Sequence, residues 1–98
     1  MKKPGKSKYE IEYTDIVVKK HIKKLTNTAK IIIKKVIEDK LTTDPIRFGK
    51  SLNFSLKHYR RLKVGNYRVI YTIQSSKKVL IHAIGHRKEI YKKYEKGI

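Results

Sequence analysis

Apolar and acidic residues alternate through Tyr9, Glu10, Ile11, Glu12 and Tyr13, the period of two that marks a half-buried strand. Thr14 and Asp15 then offer helix caps, and Val18, Ile22 and Leu25 follow at helical spacing. A second cap, Thr26 and Asn27, precedes an apolar stripe through Ala29, Ile33, Val36, Ile37 and Leu41. Lys30, Lys34 and Lys35 fall off that stripe. The pattern predicts two consecutive amphipathic helices with one buried face, and Ile31, Ile32 and Ile33 read as core of the second.

"TTDPIRFGKS" reads as a loop punctuated by Asp44, Pro45 and Gly49. The chain then turns to β. Residues 54–64 are predicted to form one long strand, Gly65 and Asn66 a turn, and residues 67–74 a strand dense in β-branched and aromatic side chains. After a turn at residues 75–77, residues 78–85 pair back, and 88–94 form a short terminal helix or a tail. Residues 1–8 are a basic leader, expected to be mobile, and residues 9–98 one domain. The order β-α-α-β-β-β gives an α+β fold: two helices packed on one face of a small, mainly antiparallel sheet.

Charge changes the picture most. Twenty-six Lys and Arg against eight Asp and Glu leave a net charge of +18 over 98 residues. Between residues 45 and 88 there is no acid, but eleven Lys or Arg and three His. A surface built only for solubility mixes the signs, so a polyanionic partner is expected. The cations are not gathered on one amphipathic helix with aromatic anchors, which disfavours a membrane surface. Cysteine is absent, excluding disulfides and thiolate metal sites. No apolar h-region follows the basic start, so no signal peptide is expected and the cytoplasm is the expected location.

Alternation divides the strands into faces. Val69, Tyr71 and Ile73 suit the face under the helices, which leaves Arg68 on the open face. Tyr59, Arg61 and Lys63 share one side of the preceding strand, and Arg87 and Tyr91 approach from the end of the last. Such a group of guanidinium and ammonium groups binds phosphate, and tyrosines beside it stack on bases. The residues suit metal-free RNA cleavage: a base takes the 2′-hydroxyl proton, cations stabilise the phosphorane, and an acid protonates the leaving 5′-oxygen. Proton transfer falls to Lys63, His86, Tyr91 or His58. His82, on a face with Leu80 and Ile84, reads as structural. No convincing ligand pattern for a metal is present.

The stretch "RRLKVGNYRVIYTI…VLIHAIGHRKEIY", from Arg60 to Tyr91, resembles the RelE/ParE superfamily of toxins. The pattern is a basic strand, then V-G-N-Y-R-V-I-Y, then an apolar strand ending in G-H-R with a tyrosine beyond it. The G-K-x-L at residues 49–52 also fits, and the likeness covers roughly residues 9–95. The resemblance implies a ribosome-dependent endoribonuclease that cleaves mRNA in the A site, with the ribosome and a cognate antitoxin as partners and no cofactor. It assigns catalytic roles to Arg61, Lys63, Arg68, His86, Arg87 and Tyr91; Tyr59, Arg60, Lys57 and Lys50, on or beside the basic strand, are expected to contact the RNA. Tyr59 departs from the founding branch, which has a lysine there. A ParE-like inhibitor of DNA gyrase and a non-catalytic basic RNA-binding module are the alternatives.

Overall fold

The computed structural model describes residues 8–52, 56–75 and 77–95. Residues 1–7 of the expected leader, the first two of the expected strand 54–64 and Ser76 of the predicted turn lie outside them. Among the described residues, five strands form one sheet in the order β1-β5-β4-β3-β2. β1 (Glu10–Tyr13) runs parallel to β5 (Lys78–His86), and the other pairs are antiparallel.

Both predicted helices are present. The first, α1, comprises Val17–His21 and Ile22–Lys24. The second, α2, comprises Asn27–Val36 and continues through Ile37–Leu41. Thr26 caps α2: its hydroxyl accepts the Ala29 N–H at 3.1 Å, a contact generally worth about 1 kcal/mol. The stripe Ala29, Ile33, Ile37 and Leu41 is buried as its spacing predicts. Ile31 and Ile32 turn outward, 69% and 50% exposed, because they fall off the stripe. In α1 the buried position is Val17 rather than the expected Val18. These side chains pack on Leu62, Val64, Val69, Tyr71, Val79, Ile81 and Ile84 to make the main core.

The segment read as a loop holds two short elements. Pro45 opens helix α3 (Pro45–Phe48), and the Asp44 carboxylate accepts the Arg47 N–H at 3.1 Å. Strand β2 (Lys50–Ser51) follows, pairing with Arg61 and Arg60. Gly49 between them is required by packing: a Cβ there would lie 1.9 Å from the Tyr71 hydroxyl, which donates to the Pro45 carbonyl.

The expected long strand is shorter, and β3 spans only Arg60–Val64. Residues 56–59 form a tight loop instead, held by Tyr59 N–H to the Leu56 carbonyl and by the Ser51 hydroxyl to the Lys57 carbonyl. Gly65, at φ +59°, occupies the first position of the two-residue turn into β4 (Tyr67–Gln74). Only a residue without a Cβ takes that conformation readily.

β5 carries a bulge that the alternation could not reveal. Ile70 pairs with Ala83 but Tyr71 pairs with Ile81, so His82 is the extra residue. Ile81 and Ile84 both reach the helix side in consequence, and His82 stands on the opposite face without Ile84. Its Nε2 lies 2.9 Å from the Thr72 hydroxyl, and its ring centroid is 4.9 Å from that of Tyr59.

The segment 88–94 is a helix rather than a tail: α4 comprises Arg87–Ile90 and Tyr91–Glu95. It lies against the sheet face away from α1 and α2, so that face is only partly open. Ile90 packs there with Leu52, Ile70 and Ala83, flanked by Leu56, Tyr59 and Tyr94. Gly85 lies beneath it, where an added Cβ would meet the Ile90 side chain at an ordinary contact distance of 3.4 Å.

Candidate nucleic-acid site

The face shared by β3, β4 and α4 is set by register. Arg61 stands opposite Ile70, Lys63 opposite Arg68, and Arg68 opposite Gly85. Arg61, Lys63 and Arg68 therefore project on one side, while Leu62 and Val64 between them enter the main core. The β3–β4 turn aims two of the cations. One terminal nitrogen of Arg68 donates to the carbonyls of Gly65 and Tyr67, both at 2.8 Å. The backbone N–H of Arg87 donates to the Asn66 carbonyl at 2.7 Å, fixing the start of α4 over the same turn.

These elements enclose a cleft of about 630 Å³ lined by Arg61, Lys63, Arg68, Arg87 and Tyr91, with Lys88, Ile90 and Lys92. Five of the six residues assigned catalytic roles from sequence thus meet in one place. None of the lining residues is acidic, and six carry positive charge. The arginines hold that charge at any working pH, and their planar forks match phosphate oxygens. Tyr91 is 57% exposed at the rim, with its ring available for stacking.

The sixth residue, His86, is elsewhere. It pairs with Tyr67, one register step past Arg68 and Gly85, and therefore points to the other face. There its ring meets Tyr67 edge-on, centroids 6.0 Å apart. Its Nδ1 accepts the Lys88 N–H at 3.3 Å, so His86 is the N-cap of α4.

The residues expected on RNA divide as well. Arg60 is structural, since its guanidinium donates to the Ile46 carbonyl at 2.5 Å and the Gly49 carbonyl at 2.8 Å. Those bonds anchor α3 beside the buried Tyr71, whose hydroxyl is pushed up in pKa chiefly by burial. Tyr59 belongs to the small core under α4, its ring between His82 and Tyr94. Burial lowers the pKa of His82 and raises that of Tyr94, so both of these groups favour their neutral forms. Lys57 is exposed in the loop before β3. Lys50, on β2, is exposed and borders a smaller groove that shares Arg61 and Lys63 with the main cleft.

Sequence reasoning missed Lys88 and Lys92. With α4 helical, Lys88, Tyr91 and Lys92 stand at i, i+3 and i+4 and share one helix face. The signal was present but depended on choosing helix over tail. Among the described residues, no three His, Asp or Glu side chains gather as metal ligands, and no helix is long and apolar enough to cross a membrane.

A helical hairpin on one face of a β1-β5-β4-β3-β2 sheet, with a basic cleft on the other, is the architecture of the RelE/ParE toxin superfamily. The chain belongs to the family described as the ParE toxin of type II toxin–antitoxin systems, which matches residues 9–91. Among solved structures it is similar to the RelBE2 toxin–antitoxin complex from Mycobacterium tuberculosis. That likeness has 25% identity and a TM-score of 0.76, covering 82% of this chain and 99% of that one. The isolated RelE toxin of E. coli is similar at 22% identity and TM-score 0.65, over 87% and 93% of the two chains. YafQ of E. coli follows at 20% identity and TM-score 0.53, over 85% and 98%. The last two show a shared fold. No curated protein sequence matches the chain.

Proposed function

We propose that this toxin is a ribosome-dependent endoribonuclease that cleaves mRNA in the ribosomal A site and so stops translation. The observation that carries this reading is the meeting of Arg61, Lys63, Arg68, Arg87 and Tyr91 in one acid-free cleft. The substrate phosphate sits among the three guanidinium groups. The RNA 2′-oxygen loses its proton and attacks the adjacent phosphorus, forming a 2′,3′-cyclic phosphate as the bond to the 5′-oxygen breaks. The negative charge that builds on the phosphorane is matched by cations already in place. With His86 on the other face, proton removal and proton donation fall to Lys63 and Tyr91, and Tyr91 also stacks on a base. This route needs no metal.

The ribosome aligns the RNA, so free RNA is a poor substrate. The solved relatives include toxin–antitoxin complexes from Mycobacterium tuberculosis, E. coli and Methanococcus jannaschii, which supports a cognate antitoxin for this chain. An acidic segment of that antitoxin would neutralise the basic face. The test is primer extension on an mRNA in a reconstituted bacterial translation system, wild type beside Arg87→Ala. Cuts within A-site codons that require ribosomes and vanish in the variant are expected.

Two observations favour a second reading, inhibition of DNA gyrase. The matching family is the ParE toxin family, and the cleft holds no histidine to move protons. Lost supercoiling activity of gyrase with intact mRNA would establish that reading and overturn the first.

A further inference from the structure

The cationic cleft does not end at β3. β2 pairs only with Arg60 and Arg61, so residues 62–64 run on as an edge with no strand beside them among the described residues. Along that edge lies a groove of about 180 Å³ lined by Lys40, Phe48, Lys50 and Leu62, together with Arg61 and Lys63. The last two line the main cleft as well, so the two hollows meet across one strand. Lys40 comes from the end of α2, Phe48 from the end of α3 and Lys50 from β2, so three elements converge on the groove.

Phe48 is 39% exposed. The Lys40 ammonium lies 5.3 Å from its ring centroid and the Arg47 guanidinium 5.6 Å. Phenylalanine has no polar atom to hold in water, so its exposure brings no hydrogen bond in return. Both cations lie over the ring, and an aromatic ring held among mobile cations is a surface that single-stranded nucleic acid can take over: a base displaces a cation from the ring, and the ammonium groups take the flanking phosphates. We propose that Phe48, with Lys40 and Lys50, is a second base-stacking subsite for single-stranded RNA, on the far side of Arg61 and Lys63 from Tyr91. The RNA then crosses β3 with one base on Tyr91, the central phosphate on the arginines and a further base on Phe48. This inference rests on the nucleic-acid reading of the main cleft. An acidic protein segment with one apolar anchor is the competing occupant, but it would leave unexplained why the groove opens into the phosphate cleft.

The experiment measures binding rather than cleavage, so the two ideas fail separately. The probe is a short, uncleavable 2′-O-methyl oligoribonucleotide, read by fluorescence anisotropy with the full chain. Phe48→Leu keeps the side chain apolar and should weaken binding about tenfold, the size expected for one lost stack. An oligonucleotide with abasic sites should bind wild type and Phe48→Leu alike. Because the chain has no tryptophan, Phe48→Trp adds a single reporter whose emission a stacked base should quench, and this variant should bind as wild type does. The same losses are expected in an Arg87→Ala background that cannot cut. Binding by Phe48→Leu within twofold of wild type would overturn the proposal even if mRNA cleavage is intact. So would Phe48→Trp emission that responds to an acidic peptide but not to RNA.

Discussion

Lys63 and Arg68 stand directly opposite each other across the β3–β4 ladder, two like charges at one register position on the face that forms the cleft. Opposed like charges destabilise a strand pair by roughly 0.2–1 kcal/mol, and a fold selected for stability alone would place an acid or a threonine at one of them. The position makes sense if an anion is to sit above it. Lys63→Thr is therefore expected to raise the melting temperature by a few degrees at low salt, following the roughly 4–8 °C per kcal/mol of small domains. The gain should shrink as salt is added, because the repulsion is screened over about 10 Å at 0.1 M. The same variant should lose most of its mRNA cleavage. Thermal unfolding across a salt series checks the first part, and a lower melting temperature at low salt would sink it.

The β3–β4 turn is a second point of control. Its carbonyls receive Arg68 and the Arg87 N–H, and Gly65 holds it at φ +59°. A β-branched residue there pays roughly 1–2 kcal/mol for the left-handed conformation. Nothing lies within 4 Å of a Cβ at Gly65, so the effect is purely one of backbone conformation. Gly65→Val should lower stability by about that amount. Cleavage should fall further than unfolding explains, since the turn orients two cations. Asn66 keeps a negative φ, so Gly65 alone carries the positive φ of a type II′ turn, and Gly65→Asn should recover little of either. Activity measured well below each variant's melting temperature separates positioning from unfolding.

His86 offers the sharpest contrast between motif and geometry. Its place beside Arg87 in the sequence suggests proton transfer, but its ring caps α4 on the face away from the cleft. His86→Asn retains a capping side chain and should leave the rate of cleavage and its pH profile unchanged. His86→Ala removes the cap and should cost about 0.5–2 kcal/mol of stability. A His86→Asn variant that folds normally but cleaves at least about tenfold more slowly would return His86 to the chemistry.

The sequence made much of this legible because burial follows period. The stripe from Ala29 to Leu41 and the alternation of Val69, Tyr71 and Ile73 place the main core without help. The same alternation puts Arg61, Lys63 and Arg68 together, since no irregularity interrupts β3 or the first half of β4. It fails where one residue is added: the bulge at His82 shifts every later position of β5 by one, which no count along a single strand detects. It fails again for Arg60 and Tyr59, whose roles depend on distant partners. Arg60 is claimed by the carbonyls of Ile46 in α3 and of Gly49 just after it, 14 and 11 residues away, and Tyr59 by the helix that returns across the sheet. Short elements are the other loss. Helix α3 and strand β2 hold too few residues for a period to show, and they form because Asp44 caps, Pro45 starts and Gly49 fits beneath Tyr71.

The remaining prediction concerns acid. His21, at the end of the Val17–His21 turn of α1, faces α4 across a hollow beside β5, where its Nδ1 accepts the Ile84 N–H at 3.2 Å, so the ring is held neutral with its proton on Nε2. Burial lowers its pKa below the usual 6.5, and the nearby charges of Lys93 and Lys24 lower it further against a smaller opposing effect of Glu89. Unfolded His21 thus takes up a proton at a higher pH than folded His21. In the interval between those two values the unfolded state binds more protons, so stability falls as pH falls and levels off below the folded value. His82, lowered by burial, acts in the same direction. Urea midpoints should therefore decline between about pH 7 and about pH 5, above the range where ordinary carboxylates titrate. His21→Gln provides an acceptor for the Ile84 N–H and no titrating group, so its decline should be shallower than that of wild type. Urea titrations of both proteins across that range decide the matter, and equal slopes would show that His21 titrates alike in the folded and unfolded chains.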